Sequence, residues 1–179
     1  MTYTAIIMSA AIRRAEPRDL ATLGVLGAHL MRTHYQFNPR RFLPPGDDPE
    51  GGYAWFLGTQ LEEPDVAIFV ADDDGDVVGY VSVGLEPLSW KELRGAAGFI
   101  HDIVVLEPRQ SQGIARQLLT AALDWLRQRG APRAMLWTAV QNDPAHRLFE
   151  RAGFTRTMIE MTLELDASQA ADDAEEIRR

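Results

Sequence analysis

The sequence predicts an α/β (α+β) fold in which one sheet is flanked by helices. Short runs of β-branched and apolar residues bounded by turn residues predict strands, and segments with apolar residues at helical spacing predict helices between them. The predicted order is β α α β β β α β α β. A chain of 179 residues with 46% hydrophobic residues has room for one well-buried core. We therefore expect one domain over residues 11–165, with an N-terminal extension (1–10) and an acidic, flexible C-terminal tail (166–179).

The N-terminal part is predicted to hold one strand and two helices. The run AAIRRA at 10–15 predicts the strand, and leucines at helical spacing from Leu20 to Leu30 predict a helix over 16–34. Pro, Gly and Asp are frequent from Gln36 to Gly52, so we expect an irregular loop there, of the kind that often forms a lid. A second helix is predicted over 53–63.

The middle of the chain is predicted to form a hairpin followed by a third strand. Val66–Ala71 and Val77–Gly84 are apolar, β-branched runs, and the DDDGD sequence between them suits a tight turn. GFIHDIVVLEP, residues 98–108, predicts another strand that ends at a proline. If that strand alternates regularly, Phe99, His101, Ile103 and Val105 share one face while Ile100, Asp102 and Val104 share the other.

The C-terminal part is predicted to contain two helices and two strands. Gln112–Arg129 has an apolar stripe at helical spacing and is followed by Gly130, which suits a helix end. RAMLWTAVQ at 133–141 predicts a strand, and 143–153 predicts a short helix. The alternating sequence FTRTMIEMTLEL at 154–165 predicts a closing strand.

Composition excludes several classes of function. A net charge of -8 argues against a nucleic-acid-binding surface. No apolar run approaches the roughly 18 to 20 residues that span a bilayer, and no secretory leader is recognisable, so we expect a cytoplasmic protein without membrane contact. The chain has no cysteine, and its four histidines lack metal-ligand spacing, so no metal site is expected.

The polar turn before the long helix is a candidate phosphate site. Helix N-termini present free backbone N–H groups, and Gly113 and Ala115 place no bulky side chain in front of them. A tight strand-to-helix turn without a ligand would have a similar sequence. The segment Gln110-Ser-Gln-Gly113-Ile-Ala115, with QNDPAHRLFERAGF downstream at the expected position, resembles the GCN5-related N-acetyltransferase (GNAT) family.

The resemblance implies a mixed, mostly antiparallel sheet whose central parallel strands splay apart around acetyl-coenzyme A, the co-substrate. The third predicted strand would pair with the pantetheine arm, the turn would hold the pyrophosphate, and Asn142 would reach the pantetheine. Asn142-Asp143-Pro144 is also a good helix start. The coenzyme-binding residues implied are Ile103, Val104, Val105, Gln110, Ser111, Gln112, Gly113, Ile114, Ala115, Arg116, Asn142 and Phe149.

The catalytic residues implied are His101 and Asp102. His101 lies where related enzymes hold a His or a Glu, and an imidazole with an ordinary pKa near 6.5 suits relay of a proton from a substrate ammonium. A half-buried strand histidine bonded to a backbone carbonyl would have the same sequence. Asp102 is expected to act as a charge partner for the amine or for a loop arginine. Phe149 lies where the family usually has a Tyr that acts as the general acid, and a phenyl ring donates no proton.

The acceptor is expected to be the primary amine of a small molecule or peptide. By resemblance, the first two helices and the loop at 85–95 would contact it, and the residues expected there are His34, Tyr35, Phe42, Glu86 and Trp90. A homodimer is expected, since C-terminal edge strands in this family often pair across subunits. A non-catalytic coenzyme A-binding or protein-interaction module remains the alternative, with another kind of nucleotide-binding domain as a third hypothesis.

Overall fold

The computed structural model describes residues 10–165. The predicted tail at 166–179 and all but the last residue of the predicted extension at 1–10 lie outside the described residues. Contacts divide the chain into two compact units, one ending at Leu148 and the other beginning at Phe149.

The first unit is built on a five-stranded mixed sheet with the order β1-β2-β3-β4-β5. The strands are β1 (Ala11–Arg14), β2 (Val66–Asp73), β3 (Asp76–Glu86), β4 (Ala97–Val105) and β5 (Ala134–Leu136). The first four are paired antiparallel, and β5 is parallel to β4. The predicted mixed, mostly antiparallel sheet and its central hairpin are therefore confirmed.

The helices agree with the prediction in order and differ at their ends. They are α1 (Leu20–Phe37), α2 (Pro49–Leu61), α3 (Ile114–Gln128) and α4 (Asp143–Arg151). A short 3₁₀ turn, Pro17–Asp19, precedes α1, because Pro17 favours a helical start and Asp19 bonds back to the Glu16 amide. Asp48 accepts a hydrogen bond from the Gly51 amide at 2.9 Å, so α2 starts earlier than predicted.

Helices α1 and α2 pack on one face of the sheet, where they form the main core. Its members come from both helices and from the three strands β2, β3 and β4; the largest are Leu23, Leu26, Leu57, Ile68, Val70 and Tyr80. Two glycines of α1 allow the helices to approach closely. A Cβ on Gly27 would lie 2.1 Å from the Tyr53 Cδ1 atom of α2, so Gly27 makes room for that ring.

Helix α3 covers the opposite face of the sheet. Its apolar stripe, which includes Leu118, Leu119 and Leu126, is buried. Gly98 of β4 faces this helix, since a Cβ there would lie 2.3 Å from a Leu126 methyl carbon. The central strands are thus enclosed on both faces.

Arg13 joins the first strand to its neighbours. Its guanidinium donates two hydrogen bonds to Asp19, at 2.7 and 2.9 Å, and a third to Asp72 at 2.8 Å. Asp19 is 5% exposed, so its carboxylate depends on Arg13 for compensation of charge. The pair of bonds to Asp19 lowers the pKa of that carboxyl group.

At the C-terminal end, one predicted strand is shorter than expected and the other is wrong. β5 is three residues long instead of the predicted 133–141, because the chain leaves the sheet after Leu136. Residues 154–165, predicted as a closing strand, pair with no strand in the part of the chain that the structure describes. Five large apolar side chains there are 76–90% exposed. An alternating sequence forms a strand where a neighbour completes its hydrogen bonds, and no described segment does so here.

Candidate functional site

Among the strands that the structure describes, only β5 pairs with the outer edge of β4, and it covers part of that edge. β5 pairs with Gly98–Ile100 and no further. The Leu106 amide donates to the Val78 carbonyl at 2.9 Å, which sets the alternation of the β3–β4 ladder. In that alternation the backbone N–H groups of Ile103 and Val105 point away from β3, towards the uncovered edge. Because β5 ends at Leu136, the second half of β4 has no parallel partner among the described strands, and this is where the family resemblance implies a splay.

The turn that follows β4 has the conformation of an anion-binding helix start. Ser111 and Gly113 have positive φ angles of 63° and 82°, and α3 begins at Ile114. The first amides of α3 have no acceptor one turn earlier in the helix. A Cβ added at Gly113 would meet no atom of residues 10–165 within 4 Å, so these residues leave the space beside the turn open. These amides could therefore bind phosphate oxygens.

Side-chain contacts brace this turn against the sheet. The Gln110 amide nitrogen donates to the Val105 carbonyl at 3.0 Å, which ties the turn to the end of β4. Arg109 pairs with Asp73 and donates to Gln112 at 3.2 Å, so its charge is engaged in holding the turn to the β2–β3 hairpin. Arg116 lies beyond the turn and lines an open cavity of about 590 Å³.

A bulge in β4 brings the two predicted catalytic residues to one face. Asp102 lies opposite Ser82 and Ile100 lies opposite Val83, so β4 has one extra residue, His101, at this point. The predicted alternation is therefore wrong here: Phe99 and Asp102 share the face of α1 and α2, and Ile100 lies on the other.

His101 is held over an apolar surface beside the uncovered edge. Its ring stacks on Phe99 with centroids 5.2 Å apart, and Phe99 contacts Trp137 at 5.1 Å. The His101 Nε2 atom lies 3.8 Å from a Glu86 carboxylate oxygen. The His101 side chain is 41% exposed, so water and a substrate can reach the imidazole.

Asp102 lies next to His101 but faces a group of buried polar residues. The Tyr80 hydroxyl donates to the Asp102 carboxylate at 3.0 Å. Burial raises the pKa of Asp102, and the bond from Tyr80 and the nearby His101 and His34 oppose that rise. Burial and the charge of Asp102 raise the pKa of Tyr53, on α2. Asp102 is therefore the point where groups from α1, α2 and β3 converge.

Arg94, which the sequence analysis did not select, binds the predicted acceptor residue Glu86. Its guanidinium pairs with Glu86 and with Glu92, and donates to the Pro87 carbonyl at 3.1 Å. Arg94 lies at the end of the β3–β4 loop, where Ser89 and Arg94 form a backbone bridge. The sequence Glu92-Leu93-Arg94 was a weak signal of an ion pair, since it places opposite charges two residues apart.

The other predicted acceptor residues are only partly brought together. The His34 ring packs edge-on against Phe42 with centroids 4.9 Å apart, and it lies close enough to Asp102 to affect the pKa of that group. Tyr35 follows His34 on α1 and is half-buried. Trp90 is 83% exposed at the tip of the β3–β4 loop.

Asn142 and Phe149 each make contacts with a structural role. The Asn142 side-chain oxygen accepts a hydrogen bond from the Ala145 amide at 3.2 Å, so the prediction of a helix start there is confirmed. In the second unit, Phe149 is buried and its ring contacts Phe154 with centroids 5.8 Å apart.

Comparison with known proteins identifies the family. The family model for "Acetyltransferase (GNAT) family" matches residues 28–154, so the chain belongs to the GNAT acetyltransferases. The chain is 28% identical over 146 residues to the uncharacterized N-acetyltransferase YhfO of Bacillus subtilis, covering 80% of this chain and 88% of that protein. It is 32% identical over 121 residues, 64% of its own length, to mycothiol acetyltransferase of Thermomonospora curvata. That match spans only 38% of the relative.

A solved structure shows the same fold. The aminoglycoside N-acetyltransferase AAC(6')-Iy in complex with CoA matches with a TM-score of 0.67 over 86% of this chain and 93% of that chain. At 20% identity the likeness establishes the fold alone. Within residues 10–165, no helix has the length and apolar character needed to cross a bilayer, and no group of three potential ligands is arranged for a metal ion.

Proposed function

We propose that this protein is an acetyl-coenzyme A-dependent N-acetyltransferase that acts on the primary amine of a small molecule or peptide. The observation that carries the proposal is the uncovered edge of β4 at Ile103–Val105, directly beside the open turn at Gly113. An extended ligand with amide groups and a pyrophosphate can use both features together. The N-acetyltransferases among its relatives support the same reaction type.

Two groups of backbone atoms would hold the coenzyme. The N–H group of Ile103 suits an amide of a pantetheine arm, as a neighbouring strand would, and the N–H group of Val105 lies further along the same edge. The amides from Ser111 to Arg116 suit the pyrophosphate at the positive end of α3. When bound, acetyl-coenzyme A supplies the acetyl group as a reactive thioester.

His101 is proposed as the base that takes a proton from the substrate ammonium, directly or through water. Its partial exposure and its place on the face with Asp102 support this role. Asp102 would favour an ammonium beside it by its charge. The Val105 N–H, which points to the uncovered edge, is suited to stabilise a developing negative charge on a carbonyl oxygen. Solvent would protonate the leaving thiolate, since Phe149 carries no acidic proton.

Coenzyme binding can be tested by thermal unfolding with acetyl-coenzyme A and coenzyme A, using ATP and NAD as controls. At a ligand concentration about 100 times Kd, binding adds about 2.7 kcal/mol to the free energy of unfolding. Gly113→Glu should abolish this shift by placing a carboxylate in front of the helix amides. Gly130→Glu is the matched control, because Gly130 also has a positive φ, 72°, with open space around its Cβ position, at the other end of α3. A coenzyme shift that survives in G113E would refute the phosphate assignment.

Catalysis can be tested by measuring thiol release from acetyl-coenzyme A in the presence of a panel of primary amines. His101→Ala should lower kcat/KM by about 10²-fold or more, as expected for loss of a general base, and His29→Ala on α1 is the control. Coenzyme binding without turnover of any amine would favour the non-catalytic alternative.

We also propose that the protein is a homodimer, which sedimentation of the full chain tests. A cytoplasmic location is proposed as well, since the protein is acidic and has no cysteine.

A further inference from the structure

The His101 imidazole is held against β3 on its Nε2 side. Its ring stacks on Phe99 with centroids 5.2 Å apart and an angle of 27° between the ring planes. A Cβ added at Gly84 would lie 3.1 Å from the His101 Nε2 atom, so the lack of a side chain at Gly84 makes room for that nitrogen. The Oε1 atom of Glu86 lies 3.8 Å from the same nitrogen. The Nε2 atom therefore faces β3 and a carboxylate.

Arg94 holds the Glu86 carboxylate in the orientation that this contact requires. The Arg94 side chain is 12% exposed and pairs with the Oε2 atom of Glu86. It also pairs with Glu92 and donates to the Pro87 carbonyl at 3.1 Å. Because Oε2 is bound to Arg94, Oε1 is the oxygen that faces His101. Two carboxylates and one guanidinium leave this group with a net negative charge, so it can stabilise a positive charge on the imidazole.

We propose that Glu86 is a positioning residue for His101: it faces the Nε2–H group, and Nδ1 is the atom that takes the proton from the substrate ammonium. This inference rests on the proposed acetyl transfer and specifies how its base works. A carboxylate beside one imidazole nitrogen favours the tautomer with the proton on that nitrogen. At 3.8 Å the contact is longer than a hydrogen bond, and catalytic hydrogen bonds often shorten only in the complex with substrate. Within residues 10–165 no group forms a hydrogen bond with His101 Nδ1, which leaves that nitrogen able to accept a proton.

The proton transfer needs only one new bond on the imidazole. The N–H bond of the substrate ammonium breaks, its electron pair stays on the amine nitrogen, and an N–H bond forms at His101 Nδ1. The Nε2–H bond is kept throughout, so the positive charge of the imidazolium lies beside the Glu86 carboxylate. Glu86 exchanges no proton and does not touch the reacting atoms. Its loss should therefore slow the reaction without abolishing it.

The kinetic test measures kcat and KM for a primary amine that the wild-type protein acetylates. Glu86→Gln should lower kcat about fivefold, the effect of one partly exposed ion pair, and should leave KM for the amine unchanged. Glu86→Asp keeps the charge and should recover part of the loss. Glu92→Gln is the matched control and should keep the wild-type kcat, because it removes a carboxylate that pairs with Arg94 but not with His101. A change in KM alone, or an equal loss of kcat in E92Q, overturns the assignment.

A double-mutant cycle shows whether Glu86 acts through His101. In the His101→Ala background, Glu86→Gln should have no further effect on kcat, because the imidazole on which the charge acts is gone. Gly84→Ala leaves every charge in place and puts a methyl group 3.1 Å from the Nε2 position, so it should also lower kcat by displacing the ring. Additive losses in the double variant, or a wild-type kcat in G84A, contradict the proposal.

Alkylation by bromoacetamide, without substrate or coenzyme, tests the nitrogen assignment separately from acetyl transfer. Peptide mapping distinguishes the two products at His101, and the wild-type protein should carry the label mainly on Nδ1, since Nε2 holds the proton and faces Gly84 and Glu86. Glu86→Gln should lower the ratio of Nδ1 to Nε2 product about fivefold, whereas Glu92→Gln should leave it unchanged.

The alkylation result decides between failure of this assignment and failure of the proposed reaction. Labelling mainly on Nε2, no labelling of His101, or the same ratio in E86Q and wild type overturns the role of Glu86 and leaves acetyl transfer intact. If the expected labelling is found but no amine is acetylated, the pairing of Glu86 with His101 stands and the proposed reaction fails.

Discussion

Replacement of Asp102 by Asn should make the protein more stable at neutral and alkaline pH. Burial raises the pKa of this carboxyl group above its ordinary value, although Tyr80, His101 and His34 oppose the rise and Tyr53 faces it from α2. The folded state therefore holds the Asp102 proton more tightly than the unfolded state does. The stability of the wild-type protein falls as pH rises from the unfolded value near 4 through the folded-state pKa.

The size of the effect follows from the surroundings of the carboxylate. Asn has the shape of Asp and keeps an oxygen that can accept the hydrogen bond from Tyr80, so the substitution mainly removes the buried charge. Asp102 retains some exposed surface, which limits the cost of that charge. We expect D102N to gain about 1 kcal/mol in the free energy of unfolding at pH 8 and almost nothing at pH 4.

Urea unfolding of both proteins at several values between pH 4 and pH 8.5 measures this difference. Asp47→Asn, in the exposed loop between α1 and α2, removes the same charge without burial and should show no such pH dependence. The reasoning is refuted if D102N is less stable than wild type at pH 8 or if the difference does not change with pH. A gain in stability with a loss of acetyl transfer would identify Asp102 as a residue kept for function.

Two other substitutions test the packing of the fold by denaturant unfolding. Arg13→Gln should lower the free energy of unfolding by about 2 to 4 kcal/mol at pH 7, since it leaves Asp19 buried without its partner, and the loss should shrink as pH falls through the folded-state pKa of Asp19. A loss below about 0.5 kcal/mol, the size typical of a surface change, would contradict this. Gly98→Ala should cost about 1 to 3 kcal/mol through its clash with Leu126, whereas Gly58→Ala in α2, with 3.4 Å of clearance, should be neutral or stabilising. Equal changes in the free energy of unfolding for Gly98→Ala and Gly58→Ala would show that the clash with Leu126 does not explain the cost at Gly98.

Local sequence features were sufficient for the elements around the coenzyme edge. A glycine between a strand and an amphipathic helix predicts the turn at Gly113, and the structure shows the positive φ that such a turn needs. The hairpin between β2 and β3 was predictable because apolar runs and turn residues are properties of neighbouring positions. The predicted ends of the helices were less accurate. The hydrogen bonds of Asp48 and Asp19 set where α2 and the 3₁₀ turn begin, and residue spacing does not reveal them.

The details that decide the chemistry depend on contacts between distant parts of the chain. The bulge at His101 results from the register between β3 and β4, and a single strand's sequence does not contain that register. The pair of Arg94 with Glu86 depends on how the loop folds back on itself. The closing strand was predicted from alternation alone, but residues 154–165 lack a partner among the described strands.

The extra residue in β4 also affects which sequence changes this site tolerates. A substitution at His101 changes one side chain, whereas deletion of that residue would remove the bulge and leave Phe99, Ile100 and Asp102 in regular alternation, with Phe99 and Asp102 still on one face. The deletion would remove the imidazole and the bulge that holds it, while the pairs of β3 and β4 on either side keep their partners. The site therefore depends on the length of β4 as well as on its side chains, because the inserted position is the one that holds the imidazole beside Asp102.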